Sequence, residues 1–221
     1  MATQHLDLEE QEQLDQIKAF WRKWGNAITW FLIVILGSYA AYNGWQLWQN
    51  RKAQKAAALY DQVTEAATAN DIDRLQRVLA DFRNEANGAV LLDHAELTLA
   101  KIAADKGDLT LAAAALNRVI TDGADVGLVA VAKLRLSGVY MQEAAWDKAK
   151  ALLDGAWQPE FDGLVADRLG DIAMANQDTA GALVAYKKAY AALSADVAYR
   201  RLVEVKLNAL GATGNAAPEG K

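Results

Sequence analysis

The hydrophobic and polar positions divide this chain into two regimes. From Trp24 to Asn50 there are 27 residues without a charge. The centre of that run, Ala27 to Ala41, is almost wholly apolar. Roughly 20 such residues cross the hydrocarbon core of a bilayer as a helix. The run therefore predicts one membrane-spanning helix. Its flanks agree: Trp21, Trp24 and Trp30 stand at one end and Tyr42, Trp45 and Trp48 at the other. Indole and phenol rings favour the headgroup layer, so these six are candidate belt residues. A buried core helix seldom runs this long without charge. A cleaved leader is disfavoured too, although Ser38-Tyr39-Ala40 has a small-x-small pattern, because Asp7, Glu9, Glu10, Glu12 and Asp15 precede the run where a leader is basic.

After Asn50 the apolar positions recur at helical spacings. Aligning the small residue of each second helix gives Leu109, Ala112, Leu116, Val119, then Trp146, Ala149, Leu153, Ala156, then Thr179, Ala182, Tyr186, Ala189. Offsets of zero, three, seven and ten lie on one helix face. The Ala anchors are 37 and 33 residues apart, and a weaker copy (Ile72, Leu75, Leu79, Phe82) lies 37 earlier. The first helices agree, with Leu99-Ala100, Leu136-Ser137 and Leu169-Gly170 as large-small pairs. A period near 34 with this pattern looks like tetratricopeptide repeats. The usual Trp of that repeat is replaced by Glu96, Lys133 and Ala166, so the copies are degenerate, and general Ala-rich helix packing competes as an explanation. Breakers at Asn70-Asp71, Lys106-Gly107-Asp108, Glu143-Ala144-Ala145 and Asn176-Gln177-Asp178 predict the turns, and their Asn and Asp suit N-caps.

The expected fold is all-α: a single N-terminal transmembrane helix followed by a tetratricopeptide-like helical-repeat solenoid. The expected divisions are an acidic tail with a short amphipathic segment over 1–23 and the span over 24–50. A linker helix continues from the anchor over 51–70. The repeat domain covers 71–210, closed by a helix from Asp196 to Leu210, and a flexible tail covers 211–221. Leu14, Ile17, Trp21 and Trp24 form one stripe, read as the first turns of the anchor, with an interfacial helix lying on the bilayer as the alternative. Leu59, Tyr60 and Val63 are the first expected contacts beyond the membrane.

Composition narrows the function. Pro occurs twice and Ala is abundant, which favours helices. A net charge of −5 without a Lys/Arg cluster argues against nucleic acid. The chain has no Cys, so disulfides, thiol nucleophiles and thiolate metal sites are absent. His5 and His94 are the only histidines and have no ligand spacing. Gly123-Ala124-Asp125-Val126-Gly127 reads as a turn, not a phosphate loop. Asp167 and Asp171, four apart beside Arg168, read as a solvated face rather than a catalytic pair. No catalytic, cofactor or metal residue is assigned, and the chain reads as non-enzymatic.

What remains is a surface. The first helices of stacked pairs line a concave side. By repeat position this candidate partner groove holds His94, Leu97, Lys101, Val131, Leu134, Gly138, Met141, Leu164, Asp167, Asp171 and Met174. Leu and Met beside a few charges suit an apolar peptide or partner helix, and the apolar members suit a plain core equally well. Orientation is open: Lys18, Arg22 and Lys23 precede the span, and Arg51, Lys52 and Lys55 follow it.

Residues Glu12 to Asn26, Gly44-Trp45-Gln46-Leu47-Trp48-Gln49-Asn50, Ala56 to Val63 and the turn Gly107 to Ala112 together resemble the YfgM-type ancillary subunits of the bacterial SecYEG translocon. The resemblance covers nearly the whole chain. It implies a bacterial inner-membrane protein with a cytoplasmic N-terminus and a periplasmic repeat domain. The implied partners are the SecYEG translocon, a membrane-anchored periplasmic chaperone of the PpiD type, translocating polypeptides and membrane lipid. The implied role is an escort that helps pass emerging chains to periplasmic chaperones. A scaffold or assembly factor for another cell-envelope complex fits the same residues. An enzyme would need a polar constellation that this sequence lacks.

Overall fold

Low proline and plentiful Ala and Leu translate directly into helices. The computed structural model describes residues 8–212, and in them every regular element is an α-helix. They are α1 (Leu8–Thr68), α2 (Ile72–Ala86), α3 (Val90–Asp105), α4 (Leu109–Asp122), α5 (Val126–Gln142), α6 (Trp146–Leu153), α7 (Pro159–Ala175), α8 (Thr179–Ala192) and α9 (Tyr199–Ala209). His5 and most of the expected tail 211–221 lie outside the described residues. The chain divides into two units, one ending at Gln54 and one starting at Lys55.

The first unit is the bulk of α1. The amphipathic segment and the span are not separate elements, because helix already begins at Leu8. The stretch is long and apolar enough to cross a membrane. Its apolar side chains face outward: Trp30 is 63% and Leu36 65% exposed. Two of its polar side chains bond to the helix's own backbone. Thr29 Oγ1 donates to the Gly25 carbonyl at 2.8 Å, and Asn43 Nδ2 to the Tyr39 carbonyl at 2.9 Å. A bilayer offers no water to such donors, so internal partners are what the environment demands.

In the second unit each helix packs chiefly on its neighbours in sequence. The last turns of α1 pair with α2; α3 with α4, α5 with α6 and α7 with α8 form three further hairpins. The small anchors Ala112, Ala149 and Ala182 are fully buried, as are Leu75 and Phe82 of the first hairpin. At Gly170 an added Cβ would run into the Tyr186 ring, so this glycine sets how closely α7 approaches α8. One core cluster gathers Leu59, Val63, Leu75, Phe82, Leu99, Leu116 and Leu136. Smaller ones gather Leu134, Leu153, Val165 and Ile172, and Ala166, Tyr186, Val203 and Leu207.

The four turns within the hairpins share one geometry. Asn70, Gly107, Ala144 and Gln177 all have positive φ, at 58°, 81°, 55° and 62°. The next amide donates back across the turn each time, as Asp71 to Ala66, Asp108 to Ala103, Ala145 to Tyr140 and Asp178 to Ala173. That is a Schellman closure, which satisfies a terminal carbonyl. Asp71, Asp108 and Asp178 then cap the following helix through their carboxylates. Ala145 occupies the same position with nearly the same backbone and has no cap. Ala145→Asp is therefore expected to stabilise the fold by about 1 kcal/mol. A denaturant titration followed by helical circular dichroism measures it, and no gain would mean that α6 is not limited by its free N–H groups.

Two expectations are corrected here. Helix α6 stops at Leu153, so Ala156 is not on its face. The Trp157 indole closes that end by donating to the Leu153 carbonyl at 3.0 Å. The last helix begins at Tyr199 rather than Asp196.

Candidate functional site

The repeat geometry places α3, α5 and α7 side by side, and their shared face holds a groove of about 650 Å³. Its floor is apolar, with Ala100, Ala104, Val139, Met141, Trp146 and Ala175. Small residues on the first helices leave the space, and Met141 and Trp146 supply adaptable contact area. The polar rim is Lys101, Asp105, Arg135, Gln142 and Arg168. Lys101 Nζ is held by Asp105 at 2.6 Å. Arg135 reaches only the Leu97 carbonyl, at 3.4 Å. Arg168 lies over Gly138, within 3.6 Å of where a Cβ would stand, and touches the Met141 sulfur at 3.9 Å.

Helix α9 is locked to α7 by a part-buried ionic cluster. Lys206 Nζ sits 2.8 Å from both Asp167 oxygens and 2.7 Å from Asp171 Oδ1. Tyr199 OH donates to Asp167 at 2.6 Å and Tyr186 OH to Asp171 at 2.8 Å. Burial first, then these hydrogen bonds to carboxylates, pushes both phenols far above their ordinary value of 10. Between the unfolded and folded values the native chain holds more protons than the unfolded one. The stability these two phenols contribute is thus fully present below pH 10 and is lost as pH rises past it. In a tyrosinate absorbance titration, two of the seven tyrosines are expected to ionise only as helix is lost. Smooth ionisation of all seven with the helices intact would contradict this reading.

A second clasp joins α2, α3 and α4. Glu96 is 3% exposed and is gripped by Arg83 at 2.6 Å and Arg118 at 3.5 Å. On α3, Asp93 accepts from the Ala124 and Asp125 amides and so ties down the α4–α5 turn. Burial raises its pKa, with those amides pulling the other way.

A family model described as a tetratricopeptide repeat-like domain matches residues 18–212, from within α1 to just past α9. The chain belongs to this tetratricopeptide repeat-like family. Among relatives of this family member, a protein of Neisseria gonorrhoeae is 28% identical over 207 residues, 92% of this chain and 98% of its own. One from Haemophilus influenzae is 29% identical, covering 92% and 98%. One from Escherichia coli K12 is 29% identical, covering 91% and 96%. Each of these relatives is called an ancillary SecYEG translocon subunit.

Set on this tetratricopeptide-like frame, the expected groove residues scatter. Lys101, Gly138 and Met141 line the groove. His94 is exposed elsewhere on α3, and Met174 is 40% exposed on α7. Leu97 and Leu134 are buried, Val131 packs against the first core cluster, and Leu164 sits between the other two. Asp167 is the clearest correction: it is buried under α9 and paired with Lys206, which also holds the part-exposed Asp171, and neither carboxylate lines the groove. The repeat register held that signal. Asp167 stands at the position of Leu97 and Leu134, both core. Register also holds the missed Arg135 and Arg168, which are 33 residues apart and occupy one position in successive repeats. The belt residues Trp21, Trp24, Trp30, Tyr42, Trp45 and Trp48 are all exposed on α1, and Lys52 Nζ lies 4.5 Å over the Trp48 ring.

Proposed function

We propose that this chain is a non-enzymatic accessory subunit of the SecYEG translocon. It is anchored in a bacterial inner membrane by α1, with the N-terminus cytoplasmic and the repeat domain periplasmic. The observation that carries this reading is the end-to-end likeness to the ancillary subunits, which spans both anchor and repeats. The groove between α3, α5 and α7 binds a partner, either a PpiD-type chaperone or a translocating chain, and helps hand that chain to periplasmic chaperones. The anchor alone contributes, because tethering raises the effective concentration of the groove near the channel.

Photocrosslinking in intact membranes tests this. A photoreactive residue replaces Met141 in the groove and another replaces Gly37, where an added side chain meets nothing. Translocon adducts at Gly37 and chaperone or secretory-chain adducts at Met141 are expected. Capture of one unrelated envelope complex at both positions would put a scaffold in its place. Orientation has its own check, since the chain has no native Cys. Val184→Cys, at a position 70% exposed, should react with an impermeant maleimide in intact spheroplasts, and Asp15→Cys only after lysis. The reverse pattern would invert the topology.

A further inference from the structure

The charges around the groove do not balance. The chain as a whole carries −5, yet this one face is basic. Among the described residues, Arg74 is matched by Glu65, and Arg83 and Arg118 by Glu96, while Arg200 rests on the Tyr190 carbonyl and ring. In the groove Asp105 is taken by Lys101. Arg135 and Arg168 form no ion pair among the described residues. Their contacts are a backbone carbonyl and a thioether. They also stand together, because Arg168 overlies Gly138, one helical turn beyond Arg135 on α5. Two like charges beside an apolar floor repel each other, and an anionic partner relieves that repulsion.

We propose that the groove takes an extended acidic segment, in which two Asp or Glu side chains meet Arg135 and Arg168 while a neighbouring apolar side chain enters the floor at Met141 and Trp146. This rests on the partner-binding reading of the groove and gives that partner a chemistry. Two unpaired guanidinium groups match two side-chain carboxylates better than the single charge of a chain terminus. Guanidinium groups also bind carboxylates with two parallel hydrogen bonds, which fixes the segment's register.

The test is fluorescence anisotropy on the full chain in nanodiscs of uncharged lipid. The probes are fluorescein-labelled, C-terminally amidated peptides with Glu-Leu-Glu, Gln-Leu-Gln or Lys-Leu-Lys at their centre. The acidic peptide is expected to bind about tenfold more tightly than the Gln peptide, with affinity falling as salt rises. Arg168→Gln should weaken it about tenfold, and the more exposed Arg135→Gln about threefold. Lys187→Gln, on the exposed side of α8, should leave it unchanged. Unaltered thermal unfolding of the variants assigns the loss to the groove. Equal binding of the Lys peptide, or full affinity in the Arg168→Gln and Arg135→Gln double variant, would overturn the proposal. So would a free C-terminal acid binding tenfold more tightly than its amide. If no peptide binds while a probe at Met141 still captures a partner in membranes, only the acidic chemistry falls. If Met141 captures nothing either, the partner-binding role falls with it.

Discussion

Replacing Lys206 with Met is expected to destabilise the repeat domain by about 3–5 kcal/mol. The side chain is only 22% exposed, and among the described residues it is the one cation ion-paired with Asp167, which is 2% exposed. Without the ammonium, Asp167 and Asp171 face each other with phenols as their only partners. A carboxylate left buried without its counter-charge is the most expensive way to break such a pair. The double variant Lys206→Met, Asp167→Leu removes both charges and should recover more than half of the loss. Because stacked repeats are held by nearest neighbours, the damage should begin at the end of the stack. Hydrogen exchange on the full chain in detergent is expected to show α9 losing protection first, while α3 and α4 keep theirs. If Lys206→Met unfolds at the same denaturant concentration as the parent, α9 is held by Val203 and Leu207 alone.

Phe82→Ala is expected to cost a similar amount, about 3–5 kcal/mol, by a different route. Phe82 is fully buried where α2 packs between the end of α1 and α3. The same register position carries Val119 in the next hairpin and Ala189 in the last. The large ring thus fills space that is closed elsewhere by closer helices, and its removal leaves a cavity that the neighbours cannot collapse into. Phe82→Leu should retain most of the stability. Denaturant unfolding of both variants decides the matter. Equal midpoints for Phe82→Ala and the parent would mean that this corner of the core is loosely packed.

The sequence carried the turns and the hairpin order because each rests on local chemistry. Asn70, Gly107, Ala144 and Gln177 stand where polar or small residues interrupt an apolar face, and all four take the left-handed conformation that ends a helix. The membrane-length run was legible for the same reason, since absence of charge over 27 residues needs no tertiary context. The misreadings concern pairs made by distant residues. Asp167 is acidic, and polarity suggested solvent; its cation lies 39 positions away on a helix of its own. Glu96 stands where such repeats usually carry Trp, and only the structure shows Arg83 and Arg118 closing over it. The groove was assigned to one face of the first helices, chosen by repeat position, and part of that face turns into the core, where Leu97 and Leu134 are buried. That geometry kept Lys101, Gly138 and Met141, and it moved the interest to Arg135 and Arg168.

Neighbour-to-neighbour packing also governs how this domain comes together in time. Nearly every partner of a helix lies within one repeat of it, so loop closure is short and the search for contacts is local. A chain delivered N-terminus first can set each hairpin on the one before it without waiting for the remainder. Lys206 reaches back 35 residues to Asp171 and 39 to Asp167, about the same span as Arg135 to Leu97 and Lys106 to Asn70. Two carboxylates on α7 repel each other until α9 brings the ammonium that pairs with both. A chain that stops before α9 is therefore expected to keep an open acidic end on α7, with Asp167 and Asp171 lacking the ammonium that joins them.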